Sequence, residues 1–118
     1  MISETISVAP ELSAFELRVT GAADRPLVTV SGELDLGTAT QLRDVLRALP
    51  DDVRAVVVDL SQVTFIDSTA LGVLLAAYKR FRVLGAGLVL SATSPVVAKV
   101  LDISGLSSLL GTGNVIAV

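Results

Sequence analysis

The chain is expected to fold as one α/β domain, a mixed, mostly parallel sheet of four to five strands with helices packed on it and an N-terminal β-hairpin. Three observations predict this. Two short strand-like runs, 15–20 and 27–31, lie close together near the N-terminus. A nearly all-apolar run, 55–60, follows them after a helical stretch. Helical periodicity then alternates with short apolar runs to the end of the chain. A length of 118 residues suits one domain, and 52% hydrophobic residues are enough for a full core.

Each element has a local reason. Residues 1–13 form an N-terminal extension, either a frayed tail or, over 2–8, a short edge strand, and 14–118 form the domain. In 15–20, Phe15, Leu17 and Val19 alternate with Glu16, Arg18 and Thr20, the pattern of a half-buried strand. Residues 21–26 read as a turn by composition, and 27–31 as its partner strand. Thr38 and Gln41 have capping-box spacing. The helix they open carries Ala39, Leu42, Val45, Leu46 and Leu49 on one face and ends at Pro50. The run 55–60 reads as a strand buried on both faces, with Asp59 at its solvated end and Ser61 and Thr64 in the loop beyond. A strongly apolar helix, 71–81, ends in Lys79, Arg80 and Arg82, cations that suit the negative end of its dipole. Residues 88–90 are a further buried strand. Ser94-Pro95 starts a third helix, Gly105 breaks it, 106–110 add a short turn, and 115–118 read as a last strand.

Composition removes several function classes. The core must be aliphatic, because the chain has three Phe, one Tyr and no Trp. That also argues against base stacking, and a net charge of −3 without a basic cluster argues against nucleic acid as a partner. With no Cys and no His, there is no disulfide, no thiol catalysis, no His-based triad and no ordinary zinc site. Carboxylates lack the spacing of a calcium loop, and no cofactor is expected. No signal sequence is visible, and no apolar run approaches the ~20 residues that span a bilayer, so a cytoplasmic location is the default expectation.

The stretch Asp67-Ser68-Thr69, between the central strand and the apolar helix, stands out. It puts Ser68 at or near a helix N-terminus, where N–H groups are free and the dipole is positive. Asp67 or Ser68 then serves as an ordinary cap, or Ser68 is a phosphorylation switch with Thr69 as a second acceptor. Right-handed crossovers bring the loop with Glu33 and Asp35 beside the loop with Asp67 and Ser68, at one edge of the sheet. Asp35 has two readings of equal standing, a cap and a partner contact, and Glu33 is more simply a solvated side chain.

With those residues in place, the chain resembles the STAS domain of bacterial anti-sigma factor antagonists. Gly32-Glu33-Leu34-Asp35 is similar to the family's Gly-Glu-Leu-Asp. Asp67-Ser68-Thr69-Ala70-Leu71-Gly72 is similar to its Asp-Ser-(Ser/Thr)-(Gly/Ala)-Leu-Gly, and Ser94-Pro95-Val96-Val97 with Ile103-Ser104-Gly105-Leu106 to its third-helix stretch. The resemblance implies a non-enzymatic switch. An anti-sigma factor that is also a Ser/Thr kinase with a GHKL-type ATP fold binds the unphosphorylated antagonist and frees the sigma factor. Phosphorylation of the serine matching Ser68 ends binding, and a phosphatase restores it. It also implies that Asp35, Asp67, Ser68, Thr69 and Glu33 belong to the partner surface. Two other roles exist in such domains, a non-switching scaffold of the stressosome kind and an accessory subunit of a membrane transporter. An enzyme built on Ser68 lacks a nearby base. Gly85-x-Gly87 and Gly111-x-Gly113 are too sparse for a nucleotide loop.

Overall fold

The computed structural model describes residues 4–7 and 15–110. Five strands form one sheet in the order β1-β2-β3-β4-β5: Glu4–Ser7, Glu16–Ala22, Arg25–Leu34, Ala55–Ile66 and Gly87–Thr93. β1 pairs with β2 and β2 with β3 in antiparallel fashion, whereas β3–β4 and β4–β5 are parallel. The possible edge strand of the N-terminal extension is therefore real over Glu4–Ser7. The expected strand at 115–118 lies outside the described residues.

The hairpin is tighter than composition suggests. β2 runs to Ala22 and β3 begins at Arg25, so the strands take up most of the expected 21–26 turn. The carbonyl of Asp24 at its tip accepts from the N–H groups of Arg54, at 2.7 Å, and Ala55, at 3.4 Å, tying the hairpin to the start of β4.

Helix α1, Leu36–Ala48, links β3 to β4, and α2, Ser68–Val83, links β4 to β5. Parallel neighbours in sequential order require crossovers of one hand, so both helices fall on one face of the sheet. α3, Pro95–Ser104, joins that layer through Val97 and Leu101, and α4, Ser107–Leu110, through Leu110. The core beneath is mainly aliphatic, including Val28, Val30, Val56, Val58, Leu88 and Leu90, with Phe15 and Phe81 buried at its margins.

Two expectations fail at β4. The strand is not buried on both faces: Val56, Val58 and Leu60 are buried, and Val57 and Asp59 are half-buried on the other side. It also runs to Ile66, so Ser61 and Thr64 are strand residues and Asp59 is mid-strand. The register against β5 shifts between Val58 and Asp59, and the Asp59 carboxylate accepts from the Ser61 N–H at 2.9 Å. That bond satisfies a donor near the irregularity in the ladder, which is why an acid sits there.

Arg80 does more than complement its own helix dipole. Its guanidinium donates to the carbonyls of Leu46, at 2.8 Å, and Leu49, at 3.0 Å, and to Asp51 at 2.8 Å. α2 thus supplies donors for the open carbonyls at the end of α1. Leu49, just before Pro50, is already extended at ψ 143°, as the residue before proline tends to be.

Candidate functional site

The site forms where β3 and β4 end together. Glu33 lies opposite Phe65 and Leu34 opposite Ile66 in the parallel ladder. The Asp67 N–H donates to the Leu34 carbonyl at 3.2 Å, so the chain leaves both strands at the same level. Each strand then passes through one aspartate into a helix. Gly32 makes the approach possible on the β3 side: it is buried, its φ is +94°, and the register shifts beside it.

Asp35 is the N-cap of α1 and is engaged through Oδ1. Its Oδ1 accepts from the N–H groups of Gly37 and Thr38, both at 3.0 Å. The Thr38 hydroxyl accepts from the Asp35 N–H at 2.9 Å. Its one proton has the Glu33 carbonyl at 2.6 Å and Asp35 Oδ1 at 3.1 Å as acceptors. The expected capping box at Thr38 and Gln41 is therefore displaced by one between Asp35 and Thr38. The same three-residue spacing was present upstream, and a carboxylate is the stronger acceptor. The Thr38 backbone N–H is the main cause that lowers the Asp35 pKa below its usual value; the Thr38 hydroxyl and the Gly37 N–H add to it, against an opposing effect of burial.

Asp67 is the N-cap of α2 in nearly the same conformation, with φ −118° and ψ −178°, but its side chain accepts a single bond, from the Ala70 N–H at 3.1 Å. Ser68 is therefore the first helical residue rather than the cap, and Thr69 the second. Both are exposed. Among the described residues, neither their hydroxyls nor their N–H groups have a partner. Free hydroxyls, free N–H groups and a positive dipole end thus coincide at Ser68 and Thr69.

The surroundings include residues that sequence reasoning passed over. Leu36 is 69% exposed and Phe65 45% exposed. Leu36 directly follows Asp35, and Phe65 lies two residues before Asp67, so apolar side chains flank the acids and hydroxyls. Leu36 was detectable, because it falls off the stripe of Ala39, Leu42 and Leu46 that α1 buries. Phe65 gave no such signal, because the polar residues Ser61, Gln62 and Thr64 before it in β4 resemble a loop. Glu33 is exposed beside Phe65. Among the described residues no group of three or more acids, Cys or His is placed to hold a metal, and no helix is long and apolar enough to cross a membrane.

A mixed sheet with one helical layer, two aspartate-capped helices at its carboxyl edge and an exposed Ser-Thr pair after the second aspartate define the class. Residues 15–117 match the STAS domain, and the chain belongs to that family. It is 34% identical over 89 residues to an anti-sigma-B factor antagonist of Listeria monocytogenes, spanning 75% of this chain and 78% of that protein. It also superposes on the crystal structure of an anti-sigma factor antagonist from Mycobacterium paratuberculosis with a TM-score of 0.73 and 27% identity, over 94% of this chain and 92% of the other. The unphosphorylated form of the anti-sigma factor antagonist SpoIIAA shares the fold, with a TM-score of 0.70 at 23% identity over 85% of this chain and 88% of that one.

Proposed function

We propose that this protein is a cytoplasmic anti-sigma factor antagonist whose binding is switched by phosphorylation of Ser68. The observation that carries the reading is the unpartnered Ser68 hydroxyl at the first position of α2, exposed on a surface that also presents Leu36 and Phe65. The relatives named as antagonists support it. The partner is an anti-sigma factor with Ser/Thr kinase activity, which passes the γ-phosphoryl group of ATP to the Ser68 oxygen and leaves ADP. A separate phosphatase reverses the change. The chain itself carries out no catalysis: it is the binding partner and the substrate.

The physics favours a switch at the surface rather than unfolding. A phosphate on Ser68 adds about −1.5 to −2 charges. The free N–H groups and dipole of α2 tolerate an anion at that place. A partner packed on the same surface loses close fit and meets new charge. For a doubly charged phosphate ~6 Å from a carboxylate, repulsion is roughly 1–5 kcal/mol before screening, depending on the local dielectric. Each ~1.4 kcal/mol is tenfold in affinity, so a micromolar complex weakens by roughly fivefold at the low end of that range and by thousands at the high end.

The test is phosphosite mapping on protein purified from its native cells, with Ser68→Ala and Thr69→Ala variants alongside. A single phosphate that disappears only in Ser68→Ala, together with an anti-sigma factor retained by that variant, is expected. A phosphate that persists in Ser68→Ala and disappears in Thr69→Ala moves the switch to Thr69. No phosphate under any growth condition, with partners still bound, makes the protein a non-switching scaffold or accessory subunit.

A further inference from the structure

α1 and α2 pack side by side, and between their outer surfaces runs a groove of about 410 Å³. Its α2 wall is one helical stripe, Thr69, Gly72, Ala76 and Arg80, spaced three or four residues apart. Its α1 wall carries Arg43 and Arg47, one turn apart on a helix. The charge runs against that of the chain. The net charge is −3, yet arginines and no carboxylate line this groove.

Two of the arginines are available. Arg80 is committed to the end of α1. Arg43 pairs with Asp44 at 3.1 Å, but their side chains are 42% and 68% exposed, and such pairs exchange readily. Arg47 is exposed and has no hydrogen-bond or ion-pair partner among the described residues. The floor is equally suggestive. Gly72 sits inside α2, where glycine weakens a helix relative to alanine. A Cβ there would meet nothing within 4 Å, and the backbone is not left-handed, so the fold itself does not require glycine. What glycine does is keep the groove open to close approach.

We propose that this groove docks an acidic segment of the protein partner, whose carboxylates pair with Arg43 and Arg47 while its backbone passes over Gly72 and Ala76. The proposal rests on the reading that the chain acts by binding a protein. Thr69 lines the groove and follows Ser68 directly, so the docked segment continues from the switch surface. Nucleic acid is the poorer occupant: an acidic chain offering two arginines, one of them already paired with Asp44, neutralises too few phosphates. The arginines then choose among anti-sigma factors by charge, since a basic segment is repelled.

The experiment replaces Ala76, and in a second version Phe65, with a photoreactive diazirine amino acid in the full-length chain within its native cells. Crosslinked peptides are then sequenced. From position 76 the expected product is an acid-rich segment of another protein. Its yield falls at least tenfold in the Arg43→Glu/Arg47→Glu variant and changes less than twofold in an Arg54→Glu control. Gly72→Leu also abolishes it, with a melting temperature no lower than the parent, which separates blocking from unfolding. The proposal is overturned by no crosslink at 76, by a crosslink to a second copy of this chain, to nucleic acid or to a segment without carboxylates, or by a yield that ignores the charge reversal. An anti-sigma factor captured at Phe65 with nothing at 76 overturns the groove and leaves the antagonist reading standing. An acidic segment at 76 with no anti-sigma factor at either position supports the groove and overturns the antagonist reading.

Discussion

The two helix starts at the sheet edge are nearly the same object built to opposite ends. Asp35 and Asp67 each leave a parallel strand and each cap a helix, and their backbones agree to within a few degrees in φ, at −114° and −118°. At α1 the cap is closed: two backbone N–H groups converge on the Asp35 carboxylate, the Thr38 hydroxyl lies 3.1 Å from it, and that hydroxyl accepts from the Asp35 N–H. At α2 the cap is a single bond from Ala70, and the hydroxyls and N–H groups of the next two residues have no partner among the described residues. A closed cap holds shape. An open one leaves polar atoms for chemistry and for a partner. The same residue type at the same place in the fold therefore does not fix its use; the residue three positions on does, threonine in one case and alanine in the other.

The largest test of this difference is on binding. Ser68→Asp puts a fixed charge on the open cap and is expected to weaken the anti-sigma factor complex at least tenfold, about 1.4 kcal/mol or more, measured by calorimetry. The melting temperature should stay close to the parent, because acids suit a helix N-terminus. Thr40→Asp, on an exposed position of α1 behind the closed cap, should leave the affinity within twofold. If Ser68→Asp binds as tightly as the parent, the open cap is not the switch.

Stability should follow in the reverse sense. Asp35→Ala removes the acceptor of several donors and is expected to cost ~1–2 kcal/mol in urea unfolding. Asp67→Ala removes one bond and should cost less, ~0.5–1 kcal/mol. Equal losses would mean that the extra bonds at α1 are energetically idle. The closed cap of α1 should also respond to acid. Asp35 has a lowered pKa in the folded state, so its contribution is present in full above its ordinary value of 3.8 and is lost as pH falls through the lower, folded value. The stability gap between the parent and Asp35→Ala should therefore be constant from pH 7 to about 5 and close below about 4. A gap that stays constant below pH 3 would show that the carboxylate charge contributes nothing.

The comparison also marks what the sequence could reveal. The order of elements was legible because β2, β3 and the helices show clean periods, and the meeting of the Asp35 and Asp67 loops follows once the strands before them are parallel neighbours. The length of β4 was not legible. Ser61 is half-buried and Thr64 exposed, and polar residues after an apolar run look like a loop. The true capping box was missed because Thr38 has an eligible partner on either side, Asp35 and Gln41, and only backbone geometry selects between them. The groove was beyond reach for a different reason. Arg43 and Arg47 come from one helix and Gly72 and Ala76 from another, and no local pattern states that those faces meet.

The smallest effect sharpens the contrast within α2. The open cap and Gly72 lie on the same few turns, and both are weaker than the fold would allow. Gly72→Ala should stabilise the protein by ~0.4–1 kcal/mol, because alanine restricts the unfolded chain and is the better helix former. Nothing within 4 Å opposes the new methyl group. The prediction is checked by chemical unfolding with the slope held common to both proteins, so that a shift in midpoint reports stability alone. A gain in stability with unchanged partner affinity would show that one methyl group is tolerated on the groove floor, and that the larger Gly72→Leu is needed to close it. A gain accompanied by weaker binding would place the partner's backbone in direct contact with this turn of α2. A loss of stability would mean that the helix needs the glycine after all, and that α2 is under a constraint its neighbours do not reveal.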